Sequence, residues 1–188
     1  MLTRPRDRIL NAATRLLQRD GIPAVGVNDI TAEADVALMT IYRQFRNKDR
    51  LVAEALEQWS AEWLHWLNDE IDRCGDDPEK RIVGLWDALE RWLAMGNFCG
   101  SFVANAATEL RGKPRHPAQR AIGEHRMAMH QLLENLAKMA HADAPAVWAE
   151  QVQLLIEGVV AAAIVDGRPH LAPEIRALAK AMLASGPA

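Results

Sequence analysis

Apolar residues recur at three- and four-residue intervals along most of this chain, and a few sharp breaks divide the pattern. Ile9, Leu10, Ala13, Leu16 and Leu17 share one helical face. Pro5 suits the first turn of that run and Gly21 suits its C-terminal stop, which predicts a helix over about 5–20. Val27, Ile30 and Ala34 predict a short second helix over 27–34, with Gly26 at its N-cap. Ile41 and Phe45, four residues apart, predict a third over 38–45. Only Asp35-Val36-Ala37 separates the second helix from the third, the length of a helix-turn-helix connection. Val36 is the apolar residue of that connection and is placed to fill the gap between the two helices.

Downstream the helical pattern continues. Asn47 is positioned to cap a long helix over 48–74, along which Leu51, Ala55, Leu56, Trp59, Trp63, Trp66 and Leu67 recur at helical spacing. Asp77-Pro78 restarts the chain into a helix over 78–95, and Gly96 to Gly100 reads as a loop. Four further segments follow, at about 101–111, 117–141, 146–166 and 173–185. No stretch alternates with a period of two, so the expected fold is all-α, with about nine helices. The expected division is a three-helix N-terminal domain at 1–47, carrying the helix-turn-helix, and a helical domain at 48–188.

Two of these helices bear on assembly. Segment 146–166 carries Val152, Leu155, Ile156, Val159, Val160 and Ala163, with Gly158, Ala161 and Ala162 between them, so it is apolar nearly all round and needs burial on more than one side. Segment 173–185 is amphipathic through Ile175, Leu178, Ala179, Met182 and Leu183. Together they predict a homodimer joined by a four-helix interface, with burial inside one monomer as the alternative.

The third helix carries candidate chemistry. With Ile41 and Phe45 turned inward, Met39, Thr40, Arg43 and Gln44 face outward. A DNA-reading helix needs such groups: Arg43 can grip a guanine, Gln44 an adenine, and Thr40 or Met39 a thymine methyl. The alternative is an ordinary solvated helix face.

Charge sharpens this picture. The 188-residue chain has a net charge of -3, but residues 1–50 hold nine Lys/Arg against six Asp/Glu while the remainder holds 13 against 19. A basic head on an acidic body directs a polyanion to one end. The composition, 49% hydrophobic and 25% charged, is that of a globular protein. The N-terminus is charged where a signal peptide would be apolar, and no apolar run reaches the roughly 20 residues of a membrane span. A cytoplasmic protein without membrane contact is therefore expected. Cys74 and Cys99 lack metal-type spacing and are expected to be reduced and mostly buried.

The run Arg8-Ile-Leu-Asn-Ala-Ala to Gly21, then Val27-Asn-Asp-Ile30, then Val36 to Leu51 resembles the DNA-binding module of TetR/AcrR-type transcriptional regulators. Ile41-Tyr42, Phe45 and Asn47-Lys48-Asp49-x-Leu51 carry the strongest matches, over about 45 residues. The chain departs at Gly26, where the family has Thr or Ser, at Thr31 for Ala, at Asp35 for the turn glycine, and at Ala37 for a capping Ser. The lost caps cost about 1 kcal/mol where a Ser would have bonded. The resemblance implies phosphate contacts from Tyr42 and Lys48, a backbone or flanking-base contact from Asn28, and a double-stranded DNA operator as partner. It further implies a homodimeric repressor released by a small-molecule effector bound in the C-terminal domain.

For that effector the sequence offers aromatic walls and a few polar groups. Trp63, Trp66, Trp86 and Phe102 could line a pocket for a small apolar or aromatic compound, with Asn105, Glu109, His125 and Glu157 orienting it. The same Trp residues could equally fill the core. Catalysis is not expected, and neither is a cofactor. His125 and His130 are five apart and share no face as metal ligands, Ser101 lacks a nucleophile elbow, and no glycine-rich phosphate loop precedes a helix. A helical ligand-binding module that does not bind an operator stays open as the alternative function.

Overall fold

The structure, a computed structural model, describes residues 4–96, 98–167, 175–178 and 181. Among these, eight α-helices follow one another: α1 Pro5–Asp20, α2 Val27–Ala34, α3 Leu38–Phe45, α4 Lys48–Asp72, α5 Pro78–Leu93, α6 Phe102–Glu109, α7 Ala118–Met139 and α8 Pro145–Asp166. The fold is all-helical. The segment expected at 173–185 falls largely outside the described residues, of which 175–178 are helical.

The first three helices have the expected bounds, and local chemistry explains where they stop. Gly21 leaves α1 at φ 85, a conformation open to glycine at little cost, and its N–H closes on the Leu17 carbonyl. Asp35 ends α2 in the left-handed region at φ 50, ψ 59. The helices α4 to α7 are shorter than expected at their ends, whereas α8 starts one residue earlier. The chain leaves α4 at Asp72 because the Cys74 and Gly75 N–H groups close tighter three-residue turns onto Ile71 and Asp72. α6 is confined to eight residues by Ser101, whose hydroxyl accepts the Ala104 N–H, and by Leu110, which leaves helical geometry.

The chain packs as two compact units, Met1–Glu62 with Ser101–His125, and Trp63–Gly100 with Arg126–Ala188. These units do not follow the 47/48 division. Half of α4 and all of α6 pack with the three N-terminal helices, while α4 and α7 each begin in one unit and end in the other.

The first unit has a continuous apolar core. Ile9, Leu17, Ile30, Ile41 and Phe45 from α1–α3 join Leu51 and Leu56 of α4 and Phe102 and Ala106 of α6, all nearly inaccessible to solvent. Val36 packs against this core from the turn, as its position predicted.

In the second unit, Trp86, Leu85 and Leu89 of α5 are buried with Leu67 of α4, Leu133 of α7 and Trp148 and Val152 of α8. Gly84 lets α5 approach the end of α4, since a Cβ there would stand 2.3 Å from Cys74 Sγ. Cys74 and Cys99 form no disulfide among the described residues, and Cys74 is half-buried. Cys99 is exposed, which corrects the expectation that both are buried; it sits in the loop after α5, outside any packed helical face. α8 is long and apolar enough to cross a membrane by length and composition. Its residues Trp148, Val152, Ile156 and Val160 are nevertheless buried in protein, and Glu150 and Glu157 pair with Arg126, as in the core helix of a globular unit.

Candidate nucleic-acid interface

The site begins with the two short helices. α2 starts at Gly26, which has no side chain to cap with, and Asp29 compensates: its carboxylate accepts the Gly26 N–H at 2.7 Å. This is half of a capping box, and an acid in the first turn also suits the helix dipole. Thr31 Oγ1 donates to the Asn28 carbonyl, and Asn28 itself is exposed. Arg15 of α1 and Glu33 of α2 pair at 2.8 Å across the helix junction.

α3 starts at Ala37 in extended geometry with no side-chain cap. Ile41 and Phe45 are 0% and 1% exposed, so this helix is fixed by one buried face. The opposite face carries Met39, 74% exposed, with Tyr42, Arg43 and Gln44 also exposed and Thr40 half-buried. One side of an eight-residue helix is thus sealed in the core, and the other presents two bidentate polar groups, two small or apolar contacts and a phenol. That is the chemical content of a base-reading helix.

Two polar side chains tie this module to neighbouring helices of its unit. Lys48, the first residue of α4, donates Nζ–H to the Ile22 carbonyl at 2.6 Å. Glu109, the last residue of α6, accepts the Ile22 N–H at 2.6 Å. Both peptide groups of the turn after α1 are therefore held by charged side chains from elsewhere in the fold. A Cβ on Gly21 would stand 2.7 Å from Glu109 Oε1, so the turn and this carboxylate are in close contact. Asn47 caps α4 as expected, its carboxamide oxygen accepting the Arg50 N–H at 2.9 Å.

The expected effector residues divide between the units. In the first, Phe102 is buried and meets Trp59 edge-on at 6.1 Å. His125 lies 5.9 Å from the same indole, and its Nδ1 is 2.8 Å from Ser60 Oγ. Burial lowers the His125 pKa to about 4, so the ring is neutral at pH 7. Asn105 is half-buried, and Glu109 is occupied by the Ile22 peptide.

In the second unit, Trp63 lies tilted against Trp66 at 6.3 Å and meets Trp92 edge-on at 5.2 Å. Trp92 in turn meets Phe98 edge-on at 5.1 Å. Trp86 is fully buried, and its indole N–H has no acceptor among the described residues. Glu157 is half-exposed and pairs with Arg126 at 2.7 Å. The sequence pattern missed Phe98, because a loop residue has no helical period to reveal it. No three His, Cys, Asp or Glu side chains among the described residues converge as metal ligands.

With this geometry in place, the chain can be compared with known proteins. Residues 9–55 match the profile of bacterial regulatory proteins of the tetR family. The HTH-type transcriptional regulator YjdC of Escherichia coli K12 is 22% identical over 161 residues, covering 86% of this chain and 84% of its own. The HTH-type nicotine-responsive transcriptional repressor HdnoR of Paenarthrobacter nicotinovorans is 34% identical over 74 residues, 39% of this chain and 36% of its own. Among solved structures, a protein of Streptomyces avermitilis assigned as a tetR transcriptional regulator superposes with a TM-score of 0.82 at 26% identity, covering 96% of this chain and 98% of its own.

Proposed function

We propose that this chain, a TetR-type transcriptional regulator by the match of residues 9–55 and the likeness of its fold, represses transcription as a homodimer on a pseudo-palindromic operator and is released by a small-molecule effector. The observation that carries the reading is α3, anchored by buried Ile41 and Phe45 with Arg43 and Gln44 free on the outer face. In this reading Arg43 pairs with a guanine, Gln44 with an adenine, and Thr40 and Met39 meet thymine methyl groups. Tyr42, Asn28 and Lys48 contact the DNA backbone. Lys48 spends one N–H on the Ile22 carbonyl and keeps two for a phosphate.

Dimerisation is supported by the outer side of α8. Val147, Leu154 and Val165 are 46%, 54% and 83% exposed, and with Gly158 and Ala161 they follow a near-heptad spacing along one stripe. The buried face of α8 already meets its own unit, so this second apolar stripe calls for a second copy of the chain. An effector is supported by analogy with the nicotine-responsive relative and by the aromatic groups at Trp59–Phe102 and Trp63–Trp92–Phe98. A pair of recognition helices reads two half-sites only when they stand about one DNA turn, ~34 Å, apart, so an effector that alters their separation releases the DNA. Linkage requires that the operator weaken effector binding by the same factor. A DNA-binding regulator of this kind works in the cytoplasm.

The test is binding of the full chain to duplexes from the DNA upstream of its own gene, against scrambled duplexes. Wild type should prefer one duplex. Arg43→Ala should lose about 1–3 kcal/mol of affinity for it and relax the preference at one base pair per half-site. Equal affinity for all duplexes in the wild type would leave only a helical ligand-binding module.

A further inference from the structure

We propose that the first unit carries a second DNA-contacting surface, a basic groove beside the recognition helix that engages the phosphate backbone without reading bases; this rests on the operator-binding reading above. The groove has a volume of about 770 Å³ and is lined by the first two turns of α1, the first three turns of α4, the α6–α7 loop and the start of α7. Six of its side chains are charged: Arg6, Arg50, Arg115 and Arg120 against Glu54 and Glu57. Arg6 pairs with Glu54, and Arg120 pairs with Glu57 and Glu124. Arg50 and Arg115 are exposed and pair with no carboxylate among the described residues, so the groove keeps two uncompensated positive charges.

Its position points to DNA. The Arg6 guanidinium lies 4.8 Å above the ring of Phe45, the last residue of α3, and α4 begins only three residues later. The groove therefore opens at the C-terminal end of the recognition helix. A helix in the major groove is flanked by phosphate strands, and cations beside its end meet one of them. Further cations flank the segments that form it: Arg4 is the N-cap of α1, Arg46 the C-cap of α3, and Lys113 stands on the same loop as Arg115, all three exposed, more charge than a single small anion needs.

The loop is built to hold its cations in place. His116 Nδ1 accepts the Ala118 N–H at 3.1 Å, which leaves the proton on Nε2, 3.3 Å from Asp49 Oδ1. That contact ties the loop to the first turn of α4. Gln119 Nε2 donates to the Leu110 and Lys113 carbonyls at 3.2 Å each, closing the loop from its other side. A pre-ordered loop spends little entropy when Arg115 meets a phosphate.

The test is the salt dependence of DNA affinity, measured by fluorescence anisotropy between 50 and 200 mM salt on the preferred duplex and on a scrambled one. Each phosphate contact contributes a slope of about 0.9 in log Kobs against log salt. With two arginines in each of two protomers, Arg50→Ala/Arg115→Ala should flatten the slope by about 3.6 on both duplexes and leave their affinity ratio unchanged. Arg50→Lys/Arg115→Lys should restore most of the slope, which a collapsed fold would not do. An unchanged slope in the alanine variant would overturn the groove while leaving the operator reading intact. A tenfold fall in the affinity ratio would overturn it too, by making these arginines base readers. Saturable binding of inorganic pyrophosphate with no change of slope would assign the groove to a small anion instead. Wild type with no duplex preference would fail the operator reading itself.

Discussion

The two packing units differ in how much of their chemistry is directional. In the first, polar side chains near the reading helix end on particular partners: Asp29 on Gly26, Asn47 on Arg50, Lys48 and Glu109 on the two sides of Ile22, His116 on Asp49. In the second, the large side chains meet one another, as in Trp63–Trp92–Phe98, and ion pairs such as Arg126 with Glu150 and Glu157 sit on half-exposed groups. A directional contact restricts which residue type can stand at a position. An apolar cluster restricts mainly volume. The first unit is therefore suited to recognising one fixed partner, while the second can exchange shape for shape, which suits a site that accepts an apolar effector.

The largest effect that would test this contrast comes from Trp86, fully buried in the second unit. Trp86→Ala should destabilise the protein by about 3–5 kcal/mol in urea titration, the cost of removing a large side chain from a filled core. Trp86→Phe should cost much less, because the indole N–H has no acceptor among the described residues to lose. A loss under about 1 kcal/mol for the alanine variant would mean that Trp86 borders open space, and the second unit would then hold a pocket at that point rather than packed core.

A smaller effect separates the units by pH. His125, held beside Ser60 and Trp59 in the first unit, has its pKa lowered to about 4 by burial, against 6.5 in the unfolded chain. Between these values the unfolded state binds more protons than the folded one, so stability falls as pH drops from about 6.5 towards 4. At pH 5 the loss relative to pH 7.5 is at most about 2 kcal/mol from this group. Replacing the ring by a neutral side chain in His125→Gln should remove that component, leaving a flatter stability profile from pH 7.5 to 5. Equal pH dependence in wild type and variant would mean that the ring takes up its proton as readily in the folded protein as in the unfolded chain.

The same contrast governs what could be read from sequence. The bounds of α1, α2 and α3 were legible because each end carries a residue with a local reason to stop: Pro5, Gly21, the left-handed Asp35 and the apolar pair Ile41 and Phe45. The outward set on α3 followed from that pair, since two inward residues fix the rotation of an eight-residue helix. Contacts across long sequence distances were not legible. Glu109 looked like an effector ligand because it is a polar residue on an apolar helix, yet its partner Ile22 lies 87 residues away. Lys48 was read as a phosphate contact only, and its bond to Ile22 spans 26 residues. The units also share helices, because a helical period is blind to where packing partners change along α4 and α7. In the second unit a Trp at helical spacing reads the same whether it fills a core or lines a pocket, so the effector residues stayed ambiguous for a physical reason.

The smallest effect concerns the caps. Asp77 caps α5 by accepting from the Glu79 and Lys80 N–H groups, whereas Ala37 offers the start of α3 nothing beyond its backbone. Ala37 already has φ -71 and ψ 143, the extended geometry that an N-cap serine adopts, so Ala37→Ser needs no change of backbone. Its hydroxyl would reach a first-turn N–H of α3 and should add about 0.5–1 kcal/mol to the stability of the first unit. If α3 is held mainly by Ile41 and Phe45 docking on the core, the reading face is already ordered, and operator affinity should stay within twofold of wild type. A gain in affinity matching the gain in stability would show instead that α3 frays in the free protein and orders only on DNA. Hydrogen exchange at the first-turn amides of α3 would then slow in Ala37→Ser without DNA present, and the directional order of the first unit would rest partly on its ligand.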